Sequence, residues 1–225
     1  MSQPHETSTD AGAAAPDEAA EAAAQAEAEA AEQAEEKAAA QAEAEAAAQA
    51  EAEAAAAAAE AEAAAVAAYG EQPALQKEFV AAVVAAQNAA RDAANDLQRG
   101  AAKAERDQAI CALLPAKAVS GWTGKITEID ANGDGKGIFT VEVAEDVEIG
   151  TWNNAFSDFQ DDTLVEPSSP VFTSGLSLEE GQLVRFSGTL VADSSDGCLR
   201  ESSLTLRGGL ESPSFIFRFS ELAGL

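Results

Sequence analysis

Residues 19–68 form a tract of alanine and glutamate that limits what the chain can fold into. Alanine accounts for 32 of its 50 residues, and its largest apolar side chain is Val66. The unit AAAQAEAE occurs at 22–29, 38–45 and 46–53, so the tract is an internal repeat of eight residues. Because a hydrophobic core is built from large side chains, the tract cannot form one, and any globular domain lies elsewhere.

The tract is predicted to be a long helical arm, because alanine, glutamate and glutamine all favour the helix. Eight residues advance a helix by about 80° beyond two full turns, so the glutamates wind around its whole surface. A left-handed coiled coil needs a period of about 3.5 residues, so the pattern indicates a single solvated helix. Residues 1–18 are polar and contain two prolines and a glycine, which predicts a disordered tail.

The glutamates of the arm repel one another, because residues 1–68 contain 16 acidic side chains and one basic side chain, Lys37. Protonation of glutamate at pH values below about 4.5 removes this repulsion. We therefore expect the helicity of a peptide spanning residues 19–68 to rise as the pH is lowered through this range. Far-ultraviolet circular dichroism measures it, and a helical signal that stays constant through the titration would contradict the expectation.

Residues 72–115 are predicted to form an amphipathic helix with a narrow stripe of small residues. Gly100 marks a candidate kink in it. The stripe packs either on the C-terminal domain or on another chain, and its interruption by Asp107 favours the C-terminal domain. Five residues of the stripe recur every seven positions: Val83, Ala90, Leu97, Ala104 and Cys111.

Residues 119–225 are predicted to hold the globular domain, since ten of the 12 aromatic residues follow residue 118. Short β-rich runs alternate there with turn signals. Three strands, a longer connection at 161–181 that suits a short helix, and two or three further strands are typical of an OB-like barrel. A β-sandwich is the alternative, and the fold class is α+β in either case. The predicted strands are 121–129, 137–145, 147–156, 182–192, 203–208 and 214–222.

Several segments of the second half share a combined pattern: GWTGKI, TWNNAFSD, DDTLVEP, EEGQLVRFSG, RESSLT and PSFIFRFS. Together with the upstream NDLQRGAAKAERDQAI, they resemble an uncharacterised bacterial domain family over about residues 72–222. The resemblance implies an OB-like β domain preceded by a helix, with no established activity. Family members carry the domain after a membrane span or a zinc ribbon, which implies a cell-envelope location, although this chain shows neither feature.

The segment DANGDG at 130–135 suggests calcium, the one candidate cofactor. Asp130, Asn132 and Asp134 take the first three alternating ligand positions of an EF-hand loop. Such a loop needs a bidentate acid at its twelfth position, where this chain has Val141. Asn-Gly and Asp-Gly are also strong hairpin signals, so a hairpin turn is favoured over a calcium site.

A candidate ligand-binding segment follows at 151–162. An aromatic ring can stack on a sugar or a peptide, and the paired amide side chains beside it can form hydrogen bonds to the same ligand. The favoured alternative is a strand end whose asparagines bond to the turn backbone. The candidate residues are Trp152, Asn153, Asn154, Ser157 and Asp158.

Catalysis is disfavoured. The only histidine is His5, in the predicted tail, so a serine or cysteine nucleophile has no histidine base in the globular domain. Asp158, Asp161, Asp162 and Glu166 form a carboxylate cluster that could serve glycoside hydrolysis or hold a metal, but a solvated acidic loop is favoured. The sequence therefore predicts a protein that is not an enzyme.

Cys111 and Cys198 are the two cysteines. A disulfide between them would join the helix to the β domain and needs an oxidising compartment, whereas two separate thiols are the favoured alternative. Since neither a signal peptide nor a membrane-length apolar run is present, a cytoplasmic location without a membrane span is predicted.

A formal net charge of -27 disfavours nucleic acid as a partner. The sequence thus predicts a non-enzymatic module that binds a protein or a small ligand and is displayed on an acidic helical arm. The alternatives are a calcium-binding or nucleic-acid-binding OB-like module, and a structural spacer.

Overall fold

A computed structural model of the chain describes residues 16–152, 158, 161–194 and 198–225. The chain is mixed α+β and divides into two compact units, residues 1–59 and 60–225. The predicted disordered tail at 1–18 falls largely outside the described residues. Its last three residues already belong to the first helix.

The first helix, α1, spans Pro16–Tyr69 and contains the whole alanine–glutamate tract. Every side chain that the structure describes in α1 before Tyr69 is exposed, as the drifting eight-residue repeat requires. Among the described helices, none combines the length and the apolar character needed to cross a bilayer.

The predicted single helix at 72–115 is two helices, α2 at Ala74–Asp92 and α3 at Asp96–Leu113. The break is caused by a reciprocal cap: Asn95 Oδ1 accepts a hydrogen bond from the Gln98 backbone N–H at 3.0 Å, while Gln98 Oε1 accepts from the Ala94 N–H at 2.6 Å. This exchange satisfies donors that would otherwise be free at the start of α3. Gly100, the predicted kink, lies inside α3.

The break also changes which residues are buried. Phe79 and Val83 of α2 and Ile110 of α3 lie in the main core, so both helices pack within the second unit. Leu97, in the middle of the predicted seven-residue stripe, is instead 85% exposed. The stripe was predicted for one continuous helix. Because the chain breaks between α2 and α3, the residues of the stripe are not all buried.

Five strands form one sheet in the order β1-β2-β3-β5-β4, and β1 also pairs with β4, so the sheet closes on itself. The pairing of β3 with β5 is parallel and the other four pairings are antiparallel. Every strand therefore has two hydrogen-bonded neighbours, and no long edge is left open. The strands span Ala118–Ala131, Gly137–Ala144, Val147–Gly150, Leu183–Leu190 and Ser214–Gly224.

In the connections between strands, the structure gives the bounds of two short helices. The predicted helix in 161–181 is α4, Pro170–Gly175. The predicted strand at 203–208 is wrong, because helix α5 begins at Leu206 and ends at Glu211. Thr205 caps it, its Oγ1 accepting a hydrogen bond from the Gly208 N–H at 3.0 Å.

Alternating large side chains fill the interior of the closed sheet. In β4, Val184, Phe186 and Leu190 are buried, as the alternation in the sequence predicts. Trp122 of β1 is fully buried, and its ring centroid lies 5.1 Å from that of Phe79 in α2. The predicted shared face of β5 is confirmed by the burial of three phenylalanines: Phe215, Phe217 and Phe219.

Helix α3 is attached to the connection between β4 and β5 by covalent and ionic links. Cys111 and Cys198 form a disulfide, so the favoured expectation of two separate thiols is wrong. Arg106, only 2% exposed, donates a hydrogen bond from Nη1 to the Gly209 carbonyl oxygen at 2.6 Å. Its Nη2 forms an ion pair with the Glu201 carboxylate. A buried cation of this kind is stable only when its partners are in place.

Candidate functional site

The candidate calcium loop is the turn between β1 and β2. Asn132 Oδ1 accepts hydrogen bonds from the backbone N–H groups of Asp134 and Lys136, at 3.0 and 2.9 Å. Asp130 Oδ1 accepts from the Ala131 N–H at 2.7 Å. Two of the three proposed calcium-ligand side chains are thus already bonded to the turn backbone, which supports the hairpin interpretation.

The candidate ligand-binding segment is described only in part, since Asn153, Asn154 and Ser157 lie outside the described residues. Asp158 is buried, and its carboxylate accepts hydrogen bonds from the Thr163 N–H and hydroxyl, at 2.5 and 2.7 Å. Thr163 Oγ1 in turn accepts from the Trp152 N–H at 2.9 Å. Asp158 therefore positions the Trp152 backbone through Thr163.

The other members of the carboxylate cluster have structural partners. Both carboxylate oxygens of Asp161, which is buried, accept from Arg200 Nη1, at 2.7 and 2.8 Å. Glu166 forms an ion pair with Lys136 at 2.6 Å. The Arg218 guanidinium donates to the carbonyl oxygens of Asp161 and Asp162. The carboxylates of Asp158, Asp161 and Glu166 are thus engaged in contacts within the chain, and Asp162 is held through its backbone carbonyl oxygen.

A groove of about 520 Å³ lies beside Trp152. Its lining comes from β1, β2 and β3, from the residues directly after β3, and from the connection that precedes β5 together with the first residue of β5. None of the described lining residues is Lys or Arg. We call it the acidic groove, and its lining includes Glu128, Thr140, Glu148, Trp152, Ser202 and Leu204.

Close approach between β2 and β3 shapes one wall of the acidic groove. A Cβ atom on Gly150 would lie 2.9 Å from both Thr140 Oγ1 and the Phe139 carbonyl oxygen, closer than such atoms pack. The glycine therefore lets the strands pair at this point. Thr140 Oγ1 is left free to donate to Glu128 Oε2 at 2.9 Å, which orients that carboxylate.

Negative charge in the acidic groove exceeds positive charge. Glu148 of β3 lies directly opposite Glu142 of β2, an arrangement that is destabilising unless a cation balances it. Lys125 forms an ion pair with Glu142 at 2.6 Å. Burial raises the pKa of Glu148 above its ordinary value, a hydrogen bond from Thr127 opposes this, and the charges of Glu142 and Glu128 add to the rise. Within the described part of the chain, the Glu148 carboxylate is thus left without a cationic partner.

The acidic groove also has an apolar part. Leu204 is 95% exposed, although it lies on the rim of a cavity. Trp152 is partly exposed, and its Nε1 atom is buried with no acceptor within the described part of the chain. Aromatic and aliphatic side chains beside a few polar groups are the usual composition of a ligand pocket.

Sequence reasoning found Trp152 but missed Glu128, Glu148 and Leu204. Each of these three belongs to a different stretch of the chain: strand pairing brings Glu128 and Glu148 together, and the connection that precedes β5 brings Leu204 to them. The one signal for the two glutamates in the sequence was the alternation of polar, outward-facing positions along the predicted strands. Comparison with models of protein families, with curated proteins and with solved structures found no match to this chain. The function is therefore inferred from the chemistry of the acidic groove.

Proposed function

We propose that the second unit is an OB-like module that binds a protein segment or a small ligand in the acidic groove and does not catalyse a reaction. The observation that carries the proposal is a cavity whose lining combines Trp152 and the exposed Leu204 with the carboxylates of Glu128 and Glu148, neither of which forms an ion pair within the described part of the chain. Leu204 is exposed on the rim, where it offers apolar contact area to a ligand in the acidic groove.

The OB-like assignment is supported by the order of the strands. A closed five-stranded sheet, a parallel pairing of β3 with β5, and helix α4 between β3 and β4 are typical of a Greek-key barrel of this class. In such barrels the face of the second and third strands, together with the loops after the first and the fourth strand, offers the binding surface. The acidic groove lies at the corresponding place.

A nucleic-acid ligand is disfavoured by the partners of the basic side chains. Four of the six basic residues of 119–225 form ion pairs, and Arg218 donates to backbone carbonyl groups. Binding to a phosphate backbone needs clustered cations that are free to release counterions. Arg185 alone does not form such a cluster. The four paired residues are Lys125, Lys136, Arg200 and Arg207.

We also propose a cellular compartment for the protein on the basis of its disulfide. Structural disulfides persist in oxidising surroundings and are rare in the cytoplasm. The Cys111–Cys198 bond therefore favours an oxidising compartment over the cytoplasmic location predicted from the sequence.

A panel of capped dipeptide amides, with aliphatic, aromatic, basic and acidic members, tests the proposed function on the ¹⁵N-labelled full chain. We expect at least one member to shift the backbone NMR signals of Thr140, Glu148 and Ser202, and Leu204→Ala to weaken that binding about fivefold by removing apolar contact. The stability of this variant should change by less than about 0.5 kcal/mol.

Leu97→Ala is the matched control, because Leu97 is also exposed but lies in α3, away from the acidic groove. It should leave binding unchanged. If every dipeptide leaves the signals of the groove in place, or if both variants weaken binding equally, the proposed function is wrong.

A further inference from the structure

The charge of the acidic groove points to the chemistry of its ligand. Glu142 and Glu148 lie opposite each other on β2 and β3, and within the described residues the one ion pair that involves either of them is Lys125 with Glu142. Glu148 lines the acidic groove together with Glu128, which adds a second carboxylate there. A ligand that brings positive charge relieves this repulsion, whereas an anionic ligand increases it.

A metal ion does not fit this arrangement. Within the described residues, no three acidic, histidine or cysteine side chains converge as metal ligands. Calcium takes about six to eight oxygen ligands, which two partly separated carboxylates and a few hydroxyls do not supply. The cation that fits is therefore organic, with an extended shape that can use the rest of the groove.

The apolar part of the acidic groove fits an aliphatic stem. Long basic side chains lay their methylene groups on apolar surface while the charged end reaches polar partners. Here Leu204 and the Trp152 ring offer that surface, and Glu148 offers the partner for the charged end. A guanidinium or ammonium group beside a tryptophan face also gains a cation–π attraction.

Two sources could provide an aliphatic chain that ends in a cation: a basic side chain of a peptide, or a free polyamine. The groove favours the peptide, since its lining includes three serines, and a serine hydroxyl can donate to and accept from backbone amide groups. Within the described residues the Trp152 Nε1–H has no acceptor, and a peptide brings carbonyl acceptors for such a donor, whereas a protonated polyamine brings none. The serines are Ser202, Ser212 and Ser214.

We infer that the acidic groove binds an arginine or lysine side chain presented by a basic peptide segment of a partner protein. This inference rests on the proposed function and adds the class of partner to it. A groove of about 520 Å³ holds one basic residue with its flanking backbone rather than a folded domain.

Titration of the full chain with Ac-Gly-Arg-Gly-NH₂ tests the inference, with the NMR signals of the acidic groove as the readout. The citrulline peptide is the neutral control of the same shape, and the glutamate peptide is the control of opposite charge. We expect the arginine peptide to bind at least about tenfold more tightly than either, because hydrogen bonds to charged groups are the stronger ones. Equal binding of the citrulline peptide would overturn the inference that the groove recognises a positively charged side chain.

Glu148→Gln should weaken binding of the arginine peptide about tenfold. Glu105→Gln is the matched control, since Glu105 is exposed on α3, outside the groove, and its replacement changes the net charge equally. An equal loss in both variants would show unspecific attraction to an acidic protein and overturn the inference. Spermidine that binds in the groove as tightly as the arginine peptide would overturn the peptide assignment.

The two proposals fail in different ways. If the citrulline or glutamate peptide binds in the groove and the arginine peptide does not, the inference is wrong while the proposed function stands. If none of these peptides moves the signals of the groove, the inference is wrong, and the proposed function fails with it when every member of the dipeptide panel is also without effect.

Discussion

Reduction of the Cys111–Cys198 disulfide should lower the free energy of unfolding of the second unit by roughly 4–5 kcal/mol. The bond closes a loop with a sequence separation of 87 residues, and cross-linking so long a loop restricts the unfolded chain strongly. Urea unfolding of the full chain, followed by tryptophan fluorescence with and without reductant, measures the difference. The buried Trp122 reports the loss of the core.

The Cys111→Ser, Cys198→Ser double variant is the control for this prediction. It should match the reduced protein in stability and show no response to reductant. Identical urea midpoints for the oxidised and reduced protein would contradict the role assigned to the bond, because α3 would then be held by its other contacts alone.

Arg106→Met should destabilise the second unit by about 3–5 kcal/mol, the usual effect of removing one partner from a buried ion pair. Arg106 is 2% exposed, and its guanidinium carbon lies 5.5 Å from the centre of the Phe215 ring. Its loss leaves the buried Glu201 carboxylate with Lys103, at 3.3 Å, as the remaining cation. The same urea unfolding experiment measures the change.

Two further variants are the controls for Arg106→Met. Arg207→Met removes an exposed pair with Glu211 and should change stability by less than about 1 kcal/mol. Adding Glu201→Gln to Arg106→Met should restore part of the lost stability, because it removes the uncompensated charge. A loss below about 1 kcal/mol for Arg106→Met itself would mean that water or neighbouring groups replace the guanidinium.

The elements that could be predicted are those in which local pattern and tertiary contact agree. The alternation in β4 predicts which face is buried, and the phenylalanines of β5 do the same. The segment at 203–208 has the alternation of a strand, yet it contains the start of α5. There the Thr205 cap and the Gly208 N–H form a local hydrogen bond that outweighs β propensity.

The sequence also contained a signal for the break between α2 and α3. Asn95 and Gln98 have the spacing of a capping box, but a seven-residue stripe running through them predicted one helix. The acidic groove could not be predicted in the same way. Glu142 and Glu148 become neighbours through the register of β2 with β3, and that register depends on the fit of the whole sheet.

Contacts between a bound basic peptide and the acidic groove are the most direct test of the function proposed for this chain. Nuclear Overhauser effects between the arginine methylene protons of Ac-Gly-Arg-Gly-NH₂ and the full chain would locate the peptide. We expect nuclear Overhauser effects to the Trp152 ring and the Leu204 methyl groups, and none to the buried Trp122. Effects confined to α1, or to surfaces outside the groove, would contradict this expectation.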